Sequence, residues 1–462
     1  MEKPDTTYLK ADNVKIIKKL KNSHHSYLIT GSITSLILKL LSIVLGYLAM
    51  LYITNKYGAS VFGALTLSIT LLSVFSLIPN FGMSSAIVRI VGELRVNKKF
   101  QEITHSIFVI FVFTTFTSVF FAHLLSSNAT FIADQILNKW QMAENLVNVS
   151  PAIVSGTALV VIASIFHGLQ NTKRYLFFQT ILHQVLFLFF LIINDRFHFH
   201  STVVEVFVYS NIFAALVAFF FLCVKILKFP RSPQKKTIEY GFCKIVRISV
   251  PMLFTTSSMM VMSWTDVLMI GMFKTEADVG VYTAANKVSS LVSIPLIAIN
   301  VIAIPKFIEF YAKKDAENLQ AVAKHSTKLI SLVSIPVFLL FLIFAEKIMK
   351  MFGAEFIAAA GVLVVLSLGQ LVNAICGPVG GLLQMTNNQN YYQNTILVFT
   401  LINVGLNYVL VPLYGISGAS YATFLSMALL NTVLVFIVKL RLGFWTMSFF
   451  GHDKISFLTS KN

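Results

Sequence analysis

Long apolar runs separated by short polar breaks make up most of the chain. A helix of about 20 apolar residues spans the ~30 Å hydrocarbon core of a bilayer. Runs of that length predict twelve spans, at roughly 28–52, 62–88, 105–126, 149–168, 176–194, 203–224, 248–272, 284–305, 328–344, 356–385, 394–413 and 415–438. The runs lack the two-residue alternation of barrel strands, and an open sheet edge has no backbone partner in lipid. The expected class is an all-α integral membrane protein.

One break is written twice. YGASVFGALTLS covers residues 57–68 and EADVGVYTAANK covers 276–287. At an offset of 217, Phe62-Gly63-Ala64-Leu65 overlies Val279-Gly280-Val281-Tyr282. The same offset carries Arg89, at the end of the second run, onto Lys306, at the end of the eighth, and brings Pro79 within one residue of Pro295. Both copies then enter a basic connection, RIVGELRVNKKF and KFIEFYAKKDAE. The twelve transmembrane helices thus divide into two pseudo-symmetric six-helix bundles. Six spans return the chain to its starting side, so the bundles share an orientation about an axis along the membrane normal. The expected organisation is a basic segment at 1–27, a bundle at 28–224, a basic linker at 225–247, a bundle at 248–440 and a tail at 441–462. Gly63 and Gly280 stand where a connection turns into a span, a place suited to the smallest residue.

Composition sharpens this reading. Apolar residues make up 56% of the 462 and charged residues 12%, about half the charged share of a soluble domain. The net charge of +17 would suit a nucleic-acid binder, but its distribution argues against one. Connections on the side of the N-terminus hold 28 of the 36 Lys and Arg, those on the other side hold 6, and Lys39 and Lys287 lie within spans. This asymmetry follows the positive-inside rule and predicts both termini in the cytoplasm. The surplus adds attraction to anionic membrane lipid. Val14, Ile17 and Leu20 among lysines suggest a basic amphipathic helix on the inner surface, or else a solvated tail. The first 26 residues carry no cleavage-like motif, so no removable leader is expected. Cys223, Cys243 and Cys376 lack metal or redox spacing, and no cofactor is expected. The phosphate-binding pattern GxxxxGKS/T and the hydrolase patterns HExxH and GxSxG are absent, which argues against an ATP-driven pump or an enzyme.

Two facing bundles are the organisation of a secondary transporter, with substrate near the midplane between them. Pro79, Pro295, Pro336 and Pro378 lie within spans and supply kinks. Taken together, KYGASVFGALTLSITLLSVF, NFGMSSAIVRIVGE and DVGVYTAANKV resemble the polysaccharide-transporter branch of the multidrug/oligosaccharidyl-lipid/polysaccharide (MOP) exporter superfamily, and within it the Wzx-type O-antigen flippases. The resemblance covers nearly the whole chain in span number, length and loop pattern. It implies a MATE-like V of two bundles around a central cavity. It also implies a flippase that moves undecaprenyl-pyrophosphate-linked oligosaccharide from the inner to the outer leaflet of a bacterial inner membrane. The implied partners are the lipid-linked oligosaccharide, membrane lipid, and a polysaccharide polymerase or other export protein. The rival is a cation-coupled multidrug exporter of the same superfamily. Major-facilitator carriers also have twelve spans, but their signature between spans 2 and 3 is absent from RIVGELRVNKKF.

Charges and amides inside the spans are the candidate site. Lys39 stands near the middle of the first span, where an ammonium costs about 2.5–3.5 kcal/mol on the insertion scale. Ser32, Ser35, Lys39, Ser42 and Gly46 share one helical face, and the other faces are Leu, Ile and Val. The lysine is therefore expected to line the cavity and meet a phosphate; the plainer reading is a lysine paired for packing. At the repeat offset Lys39 falls on Thr256 and Asp266 on Ala49, so neither charge belongs to the shared scaffold. Asp266, well inside the seventh span, is either a counter-ion for Lys39 or Lys287, or a site for a proton or sodium ion that drives transport. Lys287 reads as a snorkelling or cavity-mouth charge. Arg89, matched by Lys306, reads as a topological anchor ahead of a substrate contact. His183, four residues after Gln179, reads as hydrogen-bonded packing ahead of a proton relay. Ser367, Gln370, Asn373, Gly377, Gly381 and Gln384 form a seam on the tenth span, and Thr400, Asn403 and Asn407 form one on the eleventh. Amides donate and accept at once, which suits sugar hydroxyls, but they also tie membrane helices together.

Overall fold

The computed structural model describes residues 7–230 and 240–447, with side chains from residue 34 onward except 251, 252 and 254–259. The amphipathic face at 14–20, the middle of the linker and the tail beyond 447 lie outside the described residues or side chains. Among the described residues the chain is helical, without strands. The longer helices are α1 (Thr7–Asn80), α2 (Met83–Val96), α3 (Phe100–Ser127), α4 (Pro151–Gly168), α5 (Leu182–Arg196), α6 (Val203–Leu227), α7 (Phe242–Phe273), α8 (Glu276–Ser289), α9 (Ile294–Ala312), α10 (Ala316–Lys350), α11 (Ala360–Cys376) and α12 (Gln389–Leu442).

Among the described residues, nine helices are long and apolar enough to cross a membrane, fewer than the twelve runs in the sequence. The difference lies where runs join. The first two merge in α1 and the last two in α12, and the seventh is represented by the shorter stretch Met260–Phe273. Each join contains a glycine in a conformation that a Cβ would strain: Gly58 has φ 84° and Gly415 has φ 61°. At Gly415 the chain folds back, so that Asn403 Nδ2 comes within 3.5 Å of Thr423 Oγ1, twenty residues on.

The core has three parts. The largest draws on both halves, with Met50, Phe62 and Leu67 of α1 packed with Val279, Tyr282 and Val288 of α8 and Leu363 of α11. Two smaller cores stand apart from it. One gathers Ile87, Ile90, Ile107 and Phe166, together with Tyr240 and Ile245 from the end of the basic linker. The other gathers Ala303, Phe307, Leu382, Val435 and Phe444. These two flank the basic connections 89–104 and 306–328. The bundles thus share apolar packing at the far end, and toward the basic end their cores are separate except where the start of α7 packs on α2 at Gly82.

The duplicated turn lies at the join. Helix α8 crosses α1 so that Gly63 and Gly280 face each other, and the two copies of the repeat meet there. Polar contacts between the halves surround the crossing. Asn55 Nδ2 donates to the Met351 carbonyl at 2.9 Å, Tyr47 donates to the Lys287 carbonyl, and Lys139 donates to the Gly271 carbonyl. Burial holds the Lys139 ammonium below the ordinary lysine pKa, against the opposing pull of Glu276 and Asp278. Past Gly58, the Ala59 N–H donates to Glu355 Oε1 of the other half at 2.6 Å. The second copy caps itself: Thr275 and Asp278 form a reciprocal capping box at the start of α8.

Candidate functional site

Lys39 lies on the inward face of α1. Ile37, Leu41, Val44 and Leu48 are exposed, and at 100° per residue they form one stripe, as expected of a lipid-facing surface. Lys39 falls about 200° from Ile37, on the side that also carries Ser42 and Gly46. Ser42 is buried and donates to Gln184 Oε1 of α5 at 3.1 Å. A Cβ at Gly46 would lie 3.3 Å from Gln184 Nε2, so the glycine makes room for that amide. Lys39 is exposed even so, which means that it borders open space on the protein side of the helix. Lys287 is also exposed. Its ammonium stands 5.4 Å from the Phe62 ring centroid, and its carbonyl receives the hydroxyl of Tyr47, about two turns along α1 from Lys39. Thr256, the repeat counterpart of Lys39, lies outside the described side chains.

Asp266 is buried and its donors are neutral. Tyr282 Oη donates to Oδ2 at 2.6 Å, Thr423 Oγ1 donates to Oδ2 at 2.7 Å, and Asn407 Nδ2 donates to Oδ1 at 2.8 Å. The ion pair with Lys39 or Lys287 that the sequence allowed is not formed. The physical reason is placement: both lysines border the space around α1, and Asp266 turns into its own bundle toward α12. Two further oxygens in this cluster, Asn403 Oδ1 and Asn407 Oδ1, are buried without a hydrogen-bond partner. Asn403, Asn407 and Thr423 of α12 thus place three further oxygens around one buried carboxylate. Among the described residues there is no cluster of three or more His, Cys, Asp or Glu that would suit a transition metal.

A cavity of about 580 Å3 opens beside Asp266 and runs to Gln384 and Tyr392 at the turn into α12. Asn286, Asn300, Gln370, Asn373, Gln384 and Asn431 line it. The two predicted seams therefore separate. That of the tenth span borders open space, whereas Asn403 and Asn407 of the eleventh are buried in the cluster around Asp266.

The other candidates sit elsewhere. Arg89 pairs with Glu93 at 3.0 Å near the basic end. Hydrogen bonds from Tyr240 and Arg89 hold the Glu93 carboxyl below its usual pKa. Lys306 lines a shallower groove of about 370 Å3 between α9 and α10, with His325 opposite. His183 bonds Ser210 Oγ at 3.2 Å and packs its ring edge-on to Phe207. Sequence reasoning missed Tyr282, Thr423 and Gln184, which look ordinary within apolar runs. It also missed Asn286, Asn300 and Asn431, each a lone amide on its own span.

Two helical bundles joined through α1 and α8, with a buried carboxylate and a wall of amides, form the fold shared by solved MOP superfamily transporters. Solved structures agree. The lipid II flippase MurJ in an inward closed conformation aligns with a TM-score of 0.69 at 15% identity, over 88% of this chain and 87% of that one. An inward-facing multidrug resistance MATE family transporter of the MOP superfamily aligns with a TM-score of 0.66 at 14% identity, over 89% and 98%. At such identities the likeness is one of fold. The model of the polysaccharide biosynthesis protein family matches residues 28–311, and the chain belongs to that family. The MatE family model matches residues 251–409. Among curated relatives, the probable low-salt glycan biosynthesis flippase Agl15 of Haloferax volcanii is 32% identical over 173 residues, 37% of this chain and 36% of that one. The probable flippase AglR of the same organism is 28% identical over 176 residues, 36% of each chain. The aligned segments span little more than a third of either relative.

Proposed function

We propose that this multi-pass membrane protein is a flippase for lipid-linked oligosaccharide, working by alternating rocking of its two bundles. The observation that carries the reading is Lys39: a charged side chain that borders open space on the protein side of an otherwise apolar helix. A pyrophosphate crossing a bilayer needs a cation where water is scarce, and Lys39, on the face of α1 that meets α5, and Lys287 of α8 supply cations there. Family membership and the flippase relatives support the same reading. The finer assignment is an undecaprenyl-pyrophosphate-linked repeat unit of the O-antigen type, carried from the inner to the outer leaflet of a bacterial inner membrane. Both termini would then be cytoplasmic, with a polymerase or another export protein receiving the product. The motifs around Gly63, Asn80 and Gly280 support that assignment.

The drive is an ion held at Asp266. A sodium ion would find the Asp266 carboxylate together with the oxygens of Asn403, Asn407 and Thr423; a proton would neutralise the carboxylate directly. The unpartnered Asn403 Oδ1 and Asn407 Oδ1 favour an ion site over a merely structural one. The MatE match and this carboxylate also favour a second reading, a cation-coupled multidrug exporter. Purified protein in liposomes separates the two. With undecaprenyl-pyrophosphate-linked oligosaccharide in one leaflet, the flippase exposes it to a glycosidase on the other side without ATP. Efflux of a cationic dye, with the glycan lipid left stationary, overturns the flippase reading in favour of the exporter.

A further inference from the structure

We propose that the cavity beside Asp266 is a saccharide subsite that takes neutral, hydroxyl-rich sugars and rejects acidic ones. The inference rests on the flippase reading and adds to it the class of sugar and the place that holds it.

The first argument is hydrogen-bond accounting. Among the described residues the side chains of Asn286, Asn300, Gln370, Asn373 and Gln384 make no hydrogen bond within the protein, and Asn300 Oδ1 is fully enclosed. Amides that serve only to tie helices together bond across them, as Asn407 does to Asp266. Five from α8, α9, α11 and the short helix Val379–Met385 that follows it converge on one cavity with their donors and acceptors free. An enclosed oxygen left unpaired, as Asn300 Oδ1 is, is costly, and the other four face the open cavity with both hydrogen-bond roles free for a ligand. Sugar hydroxyls do so.

Shape points the same way. The hydroxyl end of Tyr392 packs against Gly380, where a Cβ would stand 2.8 Å from the ring, and Tyr392 forms part of the wall. A tyrosine beside amides suits a pyranose, which has apolar C–H groups and a polar rim. The volume of about 580 Å3 falls within the usual range of small-molecule sites.

Charge supplies the selectivity. Among the described residues no Lys, Arg or His lines the cavity, and the acid on its wall is Asp266. A hexuronate placed there while Asp266 holds no ion would face a bare carboxylate, in a medium where like charges repel strongly. A pyrophosphate would meet the same repulsion, whereas Lys39 and Lys287 lie elsewhere. The cargo is therefore divided, with phosphates at the lysines and the sugar in the second bundle.

The test uses the full chain in lipid nanodiscs, with Cys223, Cys243 and Cys376 replaced by Ala and with Ser263→Cys, an exposed position on the cavity wall. Maleimide labelling of that cysteine is timed in sodium-free, mildly alkaline buffer, in the presence of a neutral hexose trisaccharide, or of the same trisaccharide ending in glucuronate. The neutral sugar is expected to slow labelling at a concentration about tenfold lower than the acidic one. Gln370→Ala with Asn373→Ala should abolish the protection. Equal protection by both sugars, a comparison that needs no amide variant, overturns the proposal. So does protection that survives the double substitution. Glycan-lipid transport measured in the same preparation keeps the two readings apart. Transport without protection removes the subsite alone, and protection without transport removes the flippase reading alone.

Discussion

Gly63 and Gly280 each occupy the space of the other's missing side chain. A Cβ on Gly63 would lie 2.8 Å from the Gly280 nitrogen and 1.7 Å from the Glu276 carbonyl oxygen. A Cβ on Gly280 would lie 3.0 Å from the Gly63 nitrogen and 2.2 Å from the Ala59 carbonyl oxygen. These are backbone atoms, which cannot rotate aside. Gly63→Ala or Gly280→Ala is therefore expected to part the bundles at the far end. A cysteine pair at positions 55 and 351, next to the Asn55–Met351 hydrogen bond, reports it: cross-linking should fall several-fold along with transport. Unchanged cross-linking in both alanine variants would show that the crossing tolerates a methyl group.

The charge of Lys39 should matter more than its bulk. Lys39→Ala is expected to lower glycan export about tenfold or more at normal protein abundance. Lys39→Arg should keep part of the activity, because charge is retained but shape is not. Equal export by the wild type and Lys39→Ala, at matched protein levels, would make this lysine a packing residue.

At Asp266, coupling and stability separate. Asp266→Asn keeps the size of the side chain and removes its charge, so transport should cease to respond to an imposed sodium or proton gradient while the protein still purifies folded. Asn407→Ala takes away the donor to Oδ1 and should cost about 1–3 kcal/mol of stability, read as a lowered Tm. A gradient response that survives in Asp266→Asn would place the coupling ion elsewhere.

Topology rests on the distribution of basic residues and can be tested without transport. A cysteine at Ser127 or Asn128 should react with an impermeant thiol reagent from outside the cell. One at Ser232, which lies outside the described residues, should react only after the membrane is opened. The reverse pattern would invert the inside and outside faces.

The sequence carried most of the architecture because membrane spans and repeats are local patterns. Run length revealed the helices, and the offset of 217 revealed the pairing of Gly63 with Gly280. The small, polar face of α1 was legible from 3.6-residue periodicity, as was the oddity of Asp266. Its partners were not. Asn407 and Thr423 lie 141 and 157 residues from the carboxylate they serve, and nothing in a helical repeat says which threonine turns toward which helix. The two amide seams looked equivalent for the same reason. Gln370 and Asn407 have the same chemistry, and only the packing of neighbouring helices makes one a cavity wall and the other a ligand of Asp266.

The cap on Ala59 makes the two halves unequal. At the repeat offset Gly58 stands where the second copy has Thr275, and Val61 where it has Asp278, so the first copy cannot close its own capping box. It borrows Glu355 from the opposite bundle. Once the far end opens, that carboxylate leaves with its own half, and the helix start loses a contact worth about 1 kcal/mol. Its first turn should then fray, while the self-capped start of α8 stays wound. The amides of 59–61 become a one-sided gauge of which way the transporter faces. Their hydrogen exchange should quicken when cargo or ion turns it outward and in Glu355→Ala, and the exchange of 276–278 should hold steady in both cases. Matching exchange at the two helix starts would mean that opening leaves the borrowed cap in place.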